Sequence, residues 1–280
     1  MILGLAQLLV EGGEPERNFE RAEKLISRAS RQGSNWVLLP ETVDFSWTHP
    51  SSLIEAEPIP GRFSDLIALM SVKYNVWITV GLTEKTSQGN YNTAITFNNL
   101  GEIVHKYRKI NLLTVEFPYY LVGDSLSVVN TPWGIVGINV CSDNYIDSLH
   151  IAHTLARMGA QLILSPSSWT VDFHITETNE PYQDKWLKPM KLIATYYDLV
   201  FASCTSVGYI VGGPYEGKKM VGQSLVVNKN GILAQGEMNE FAGDLKIISL
   251  SLHERKYKGI EIGKNLSERG YSLDEYIRNI

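Results

Sequence analysis

Three residues, each at the end of a strand-like segment, carry the chemistry this sequence could do. Cys141 follows the run Ile135 to Val140 and precedes Ser142, Asp143 and Asn144, all good N-terminal capping types for a helix. A thiol at such a strand-to-helix turn would face the positive end of a helix dipole, which favours thiolate. The turn would also leave the next backbone N–H free to polarise a carbonyl. A buried structural cysteine is the plainer alternative for the residue type. Glu41 follows Leu38-Leu39-Pro40, at the carboxyl end of a buried strand, where ligand sites of open α/β sheets gather. Partial desolvation there would raise its pKa toward a general base's working range; an exposed loop glutamate is the alternative. Lys109 closes the segment Tyr107-Arg108-Lys109 and could hold charge against a developing oxyanion, or be a solvated basic turn. The second cysteine, Cys204, lies inside the apolar run Val200 to Cys204 and reads as core.

Taken together, three segments resemble the signatures of the nitrilase superfamily of carbon–nitrogen hydrolases. They are Leu39-Pro40-Glu41, Tyr107-Arg108-Lys109-Ile110-Asn111-Leu112 and Gly137-Ile138-Asn139-Val140-Cys141-Ser142-Asp143, in that order and with apt spacing. The resemblance runs from the first strand to Gly222-Gln223-Ser224 and the strand after it. It implies a general base at Glu41 and a nucleophile at Cys141 that forms a thioester. Lys109 and the Ser142 backbone N–H would stabilise the oxyanion. Many members carry a second glutamate shortly after the lysine, and Glu116 is the acidic residue that fits. No cofactor and no metal is implied. The implied reaction is hydrolysis of a non-peptide C–N bond in a small amide or carbamoyl compound, with water as second substrate; a nitrile, or acyl transfer from the same thioester, is the alternative. Members usually form homodimers or larger assemblies, with the helix after the cysteine near the interface. Many relatives follow the cysteine with an aromatic residue, Asp and a Phe-Pro-Glu-like segment. Here the Pro-Glu element is missing from Cys141-Ser142-Asp143-Asn144-Tyr145-Ile146-Asp147, which bears on substrate identity more than on mechanism.

Residues just beyond the strand ends should face the cysteine. That logic nominates Phe45 and Trp47 after Glu41, Asn144 and Tyr145 after Cys141, and Ser167, Ser168 and Trp169 after Pro166 as pocket walls. Their aromatic content suits a small, partly apolar acyl group.

The elements that must position these residues alternate in type. Ile2 to Val10 reads as a strand, and Phe19, Ala22, Leu25, Ile26 and Ala29 recur at helical spacing. Trp36 to Leu39 is a second strand, Gly61 to Tyr74 a helix and Val76 to Thr83 a strand. Tyr91 to Phe97 and Ile103 to Tyr107 form a hairpin about Asn98-Asn99-Leu100-Gly101. Trp133 to Val140 is a strand, Tyr145 to Met158 a helix, and Gln161 to Leu164 a strand. Asp184 to Tyr197 is a helix containing Pro189, and Leu199 to Cys204, Met220 to Val227, Ile232 to Gln235 and Leu245 to Leu250 are strands. One echo stands out: a helix ends at Gly33 before a strand closed by Pro40, and another ends at Gly159 before a strand closed by Pro166, at the same separation. This predicts an α/β protein with two similar halves stacked as a four-layer αββα sandwich. With no linker between the halves, residues 1–280 read as one domain, whose polar tail, 264–280, would pack on a neighbouring subunit.

Composition excludes other classes. The 280 residues are 44% hydrophobic and 20% charged, with a net charge of −5 and scattered lysine and arginine, unlike the basic footprint of a nucleic-acid binder. No apolar run approaches the roughly 20 residues of a membrane span. The first residues lack the basic flank and cleavage site of a signal peptide, and two cysteines make no disulfide framework, so a reducing cytoplasm is the expected setting. Gly212 to Lys219 is nearly a phosphate-binding loop, but lacks the closing Ser/Thr and precedes a strand-like segment. His150 and His153, one helical turn apart, lack the companions of a metal site. A non-catalytic binding or scaffold protein with the same fold is the rival from another class.

Overall fold

The computed structural model describes residues 1–176, 183–239, 241–254 and 267–268. Two six-stranded sheets form its centre. The first contains β1 (Ile2–Gln7), β2 (Trp36–Leu38), β3 (Trp77–Lys85), β4 (Asn90–Phe97) and β5 (Ile103–Arg108). The second contains β6 (Val128–Thr131), β7 (Gly134–Ile138), β8 (Leu162–Ser167), β10 (Val200–Thr205), β13 (Leu225–Asn228) and β14 (Gly231–Gln235), and β15 (Asp244–Ser249) returns to the first. A small third sheet joins β9 (Thr170–Val171), β11 (Val207–Tyr209) and β12 (Lys219–Val221). The helices are α1 (Pro15–Arg31), α2 (Ser52–Glu55), α3 (Arg62–Tyr74), α4 (His150–Arg157) and α5 (Gln183–Tyr197).

The expected internal repeat is written in the strand order. The first sheet runs β15-β1-β2-β3-β4-β5 and the second, read from its other edge, β6-β7-β8-β10-β13-β14. In each, three parallel strands sit inside, flanked by one antiparallel strand on one side and two on the other. The helix α1 between β1 and β2 has its counterpart in α4 between β7 and β8, and α3 has its counterpart in α5.

Strand alternation divides the apolar side chains into layers. Leu3, Leu5, Trp36 and Leu38 from the first sheet meet Val136, Leu162, Leu164, Val200, Ala202 and Cys204 from the second in one cluster between the sheets. Their neighbours Ala6, Val37 and Leu39 turn the other way, onto Phe19, Ala22, Leu25 and Ile26 of α1. On the opposite outer face, Ile163 and Phe201 pack with Ile151 and Leu155 of α4 and Ile193 of α5. The result is helix, sheet, sheet, helix, with Cys204 in the middle of the core. No helix among the described residues is long and apolar enough to cross a membrane.

Two elements differ from expectation. The helix expected over Tyr145 to Met158 begins only at His150; residues after the cysteine form a short 3₁₀ turn, Cys141–Asn144, and then an irregular bend. The run Met220 to Val227 is not one strand, because Gly222 (φ 75°) and Gln223 (φ 61°) turn left-handed and send β12 and β13 to different sheets. The Gly212 to Lys218 loop is a turn leading into β12. Apart from residues 267 and 268, the tail lies outside the described residues.

Candidate active site

Each residue of interest stands just past the end of a strand. Glu41 comes after β2, Lys109 after β5 and Cys141 after β7. Val140 is still extended, but Cys141 has φ 45°, a left-handed conformation that costs an ordinary residue on the order of 1–3 kcal/mol. The strain is held by Asp143, whose carboxylate accepts from the Val140 N–H (2.9 Å), the Asn111 N–H (2.9 Å) and the Tyr107 hydroxyl (2.7 Å). Ser142 Oγ donates to the Asn111 carbonyl at 2.6 Å, and Ser148 Oγ to the Ser142 carbonyl at 2.6 Å. The Asn111 contacts tie the cysteine turn to the segment that carries Lys109. Glu41 is fixed from two sides: its N–H donates to the Ser167 carbonyl of the second half at 3.3 Å, and β3 backs onto it. A Cβ added at Gly81 would lie 2.6 Å from Glu41 Cα and 2.8 Å from the Thr42 nitrogen, so that strand can approach only as glycine.

The four residues Glu41, Lys109, Glu116 and Cys141, far apart in sequence, are brought into one buried region. Lys109 Nζ lies 2.9 Å from Glu41 Oε1 and 2.7 Å from Glu116 Oε1, and all three side chains are 0% exposed. Asn92 Nδ2 on β4 donates to Glu41 Oε1 at 2.6 Å. Trp47 Nε1 donates to Glu116 Oε1 at 2.8 Å, and the Leu113 N–H to Glu116 Oε2 at 2.7 Å. Glu116 is therefore held at both oxygens. Glu41 is held at one, and its Oε2 is buried without a hydrogen-bond partner.

One ammonium shared by two carboxylates sets the electrostatics. Burial works against the charge on Lys109, but Glu116 and Glu41 together hold its pKa well above the usual lysine value. Glu41 moves upward: burial raises it most, Lys109 pulls it down, and the neighbouring Glu116 charge raises it again. Cys141 also moves upward, through burial and then the Glu41 charge, against the opposing pull of Lys109 and the Ser168 backbone. This corrects the expectation of a helix dipole that favours thiolate. A single 3₁₀ turn supplies little dipole, and burial pushes the thiol's pKa up.

The carbon–nitrogen hydrolase family profile matches residues 3–256. The chain belongs to the carbon–nitrogen hydrolase family. Among individual relatives, it is 30% identical over 179 residues to omega-amidase NIT2-A of Xenopus laevis, covering 60% of this chain and 64% of that protein. It is 26% identical over 232 residues to deaminated glutathione amidase of Homo sapiens, covering 77% and 67%. The match to the omega-amidase thus spans a little under two thirds of that relative's length. In structure it is similar to an amidase from Nesterenkonia sp. AN1, solved with acrylamide added at its active-site cysteine. There the TM-score is 0.76 at 18% identity, covering 100% of this chain and 99% of the other, a likeness of fold.

In this member of the family, Cys141 lines a cavity of about 280 Å³ together with Trp47, Leu113, Tyr145, Ser168, Ile175, Lys185, Trp186, Tyr215 and residues of the small third sheet. Trp47, Tyr145 and Ser168 were among the walls expected from sequence. Phe45, Asn144, Ser167 and Trp169 were too, and the structure places them elsewhere. Phe45 packs edge-on against Phe63, 5.5 Å between centroids, in the core beside α1 and α3. Asn144 spends its amide on Asn139 and on Ser165 Oγ. Ser167 Oγ pairs with Ser203 Oγ at 2.8 Å, and Trp169 is buried, stacked on Trp186 at 4.6 Å. Sequence reasoning missed Asn92, Lys185, Trp186 and Tyr215. Asn92 sits in the polar first half of β4, Asn90-Tyr91-Asn92-Thr93, where nothing local sets it apart; Lys185 and Trp186 arrive from α5 and Tyr215 from the Gly212 to Lys218 loop.

Proposed function

We propose that this chain is an amidase-type hydrolase that cleaves the C–N bond of a small amide through a thioester on Cys141, releasing ammonia or an amine. Glu41 takes the thiol proton as the sulfur attacks the carbonyl carbon. The oxyanion forms against Lys109 Nζ and the Ser142 backbone N–H. Glu41 returns the proton to the departing nitrogen, then deprotonates the water that attacks the thioester and frees the acid. Glu116 positions Lys109 and, through Asn92, Glu41. The observation that carries this reading is the asymmetry of Glu41: one oxygen is taken by Lys109 and Asn92, the other is open, and burial pushes up the pKa of the carboxyl and of the neighbouring thiol alike. The names of two relatives, omega-amidase and deaminated glutathione amidase, support the amide reading, and a relative named nitrilase fits the nitrile alternative.

A panel of small amides, carbamoyl compounds and nitriles tests this by ammonia release, with intact-mass measurement for an acyl group on Cys141. Amide turnover with an acyl-enzyme is the expected result; no release and no adduct across the panel overturns it. Added hydroxylamine separates hydrolysis from acyl transfer. We further propose one domain, assembled at least as a homodimer with α4 near the shared face; light scattering at micromolar concentration that returns only the 31.4 kDa monomer would refute the assembly. A reducing, cytoplasmic setting fits two free thiols, one of which must stay reduced to act.

A further inference from the structure

We propose that Tyr215 is a specificity-determining residue that limits the size of the acyl group, its ring forming the loop-borne wall of the Cys141 cavity. This rests on the amidase reading above and adds to it which amides are admitted.

Gly212 and Gly213 look like part of a phosphate-binding loop in sequence, and the structure gives them a different use. Both are left-handed, with φ 72° and 75°. A Cβ added at Gly213 would stand 2.4 Å from the Thr48 carbonyl oxygen, and one at Gly212 would stand 3.0 Å from the His49 ring. Only glycine lets the loop lie this close to the segment that follows Trp47. The loop then closes on itself. The Ile210 N–H donates to the Lys218 carbonyl at 2.9 Å, the Gly217 N–H to the Ile210 carbonyl at 3.0 Å, and the Lys218 N–H to the Tyr215 carbonyl at 3.0 Å. Tyr215 is thereby set edge to face on Trp47, 5.2 Å between centroids. Lys218 Nζ stands 4.8 Å from the centroid of the same tyrosine ring and pairs with Asp172 at 2.8 Å.

Trp47, Tyr215, Lys218 and Asp172 all line the cavity that holds Cys141, so these contacts make one continuous wall. It starts at the bond from Trp47 to Glu116 and ends at an ion pair whose members are both partly in water. Tyr215 is its middle. The cavity's other aromatic side chains are committed elsewhere: Trp47 to Glu116, and Tyr145 to Trp186, which stacks on the buried Trp169. Tyr215 is half-buried on its loop, and the size of its ring is the variable that the loop brings to the cavity. The volume of about 280 Å³ is at the low end for small-molecule sites, so one ring is a large share of the space.

The test compares propanamide with phenylacetamide in the wild type, Tyr215→Ala, Tyr215→Leu and Tyr215→Phe, reading the ratio of kcat/KM for the larger amide over the smaller. Tyr215→Ala should raise the ratio by about tenfold, mainly through a lower KM for phenylacetamide. Tyr215→Leu should raise it less, and stands in if the alanine variant does not fold. Tyr215→Phe should keep the wild-type ratio, since the ring and not the hydroxyl makes the wall. A ratio unchanged in Tyr215→Ala and Tyr215→Leu, as a purely structural role would give, overturns the proposal and leaves the amidase reading intact. So does a rise in Tyr215→Phe as large as in Tyr215→Ala. Alkylation of Cys141 by iodoacetamide and by its N-benzyl derivative, followed by peptide mass, decides the case in which no amide turns over. If the rate with the bulkier reagent, relative to the smaller, then rises in Tyr215→Ala, the wall stands and the amidase reading falls; an unchanged relative rate overturns the proposal as well.

Discussion

Arg108 and Lys109 are neighbours in the chain, and their side chains enter two ion clusters of opposite make-up. Arg108 joins Lys106 around Glu84, at 2.8 Å from each, and Thr93 adds a hydrogen bond at 3.0 Å. That is two cations on one acid, and both cations are partly in water. Lys109 stands between Glu41 and Glu116, one cation on two acids, all dry. The outcomes differ in sign. Burial tends to raise Glu84, but Arg108 and Lys106 outweigh it and its pKa falls; Glu41 ends above its usual value. A surplus of cations makes a clasp that fastens β3 to β5. A surplus of acids inside the protein leaves one carboxylate short of partners and able to accept a proton.

The largest effect should come from Glu41→Gln. It removes the open acceptor and should lower amide turnover by about a thousandfold. Thermal stability should hold or rise, since one buried charge is gone from a cluster with too many acids. A melting temperature well below wild type would show that Glu41 is a clasp after all. Next comes Lys109→Met, which leaves two buried carboxylates without a cation. Turnover should drop by about a hundredfold or more, and denaturant melts at neutral pH should show a loss on the order of 3–5 kcal/mol. That loss should shrink on acidification, as the carboxylates take up protons. Wild-type stability at neutral pH would mean the cluster is wet.

Smallest is Glu84→Gln. Turnover should stay within about twofold, and stability should fall by about 1 kcal/mol, because solvent screens the partly exposed cations. The pH dependence sharpens the contrast. The folded pKa of Glu84 is depressed, so its contribution is present above the usual glutamate value near 4.3 and lost as pH falls through the folded value. Glu41 is raised, so the stability it lends is present at low pH and lost as pH rises through its folded value. Wild type minus Glu84→Gln should therefore grow toward neutral pH, while wild type minus Glu41→Gln should shrink or reverse. Parallel curves would erase the distinction.

Much of this was legible in the sequence, for reasons that also mark where legibility stops. Strand ends are easy to find when an apolar run meets Pro40 or Cys141, and the repeated Gly33-to-Pro40 and Gly159-to-Pro166 grammar reappears as matched strand orders. Side-chain direction beyond a strand end is harder. Ser167, Ser168 and Trp169 alternate, so Ser168 reaches the cavity while its two neighbours turn into the core. Proximity in sequence nominated all three; the backbone period selects one. The late start of α4 was hidden because the residues from Tyr145 to Leu149 bend rather than coil, and apolar spacing alone does not register a bend. Lys185 and Tyr215 carry no local mark at all, since only the packing of α5 and of the Gly212 to Lys218 loop brings them to the sulfur.

Gly81 is not among the residues lining the Cys141 cavity and bears no charge, yet its missing methyl is what lets β3 lie against the peptide of Glu41. A library of random variants scored only for growth on an amide would return Gly81→Ala among the dead clones, with intact acid, lysine and thiol, and a mutational map coloured by distance from the sulfur would misfile it as scaffold.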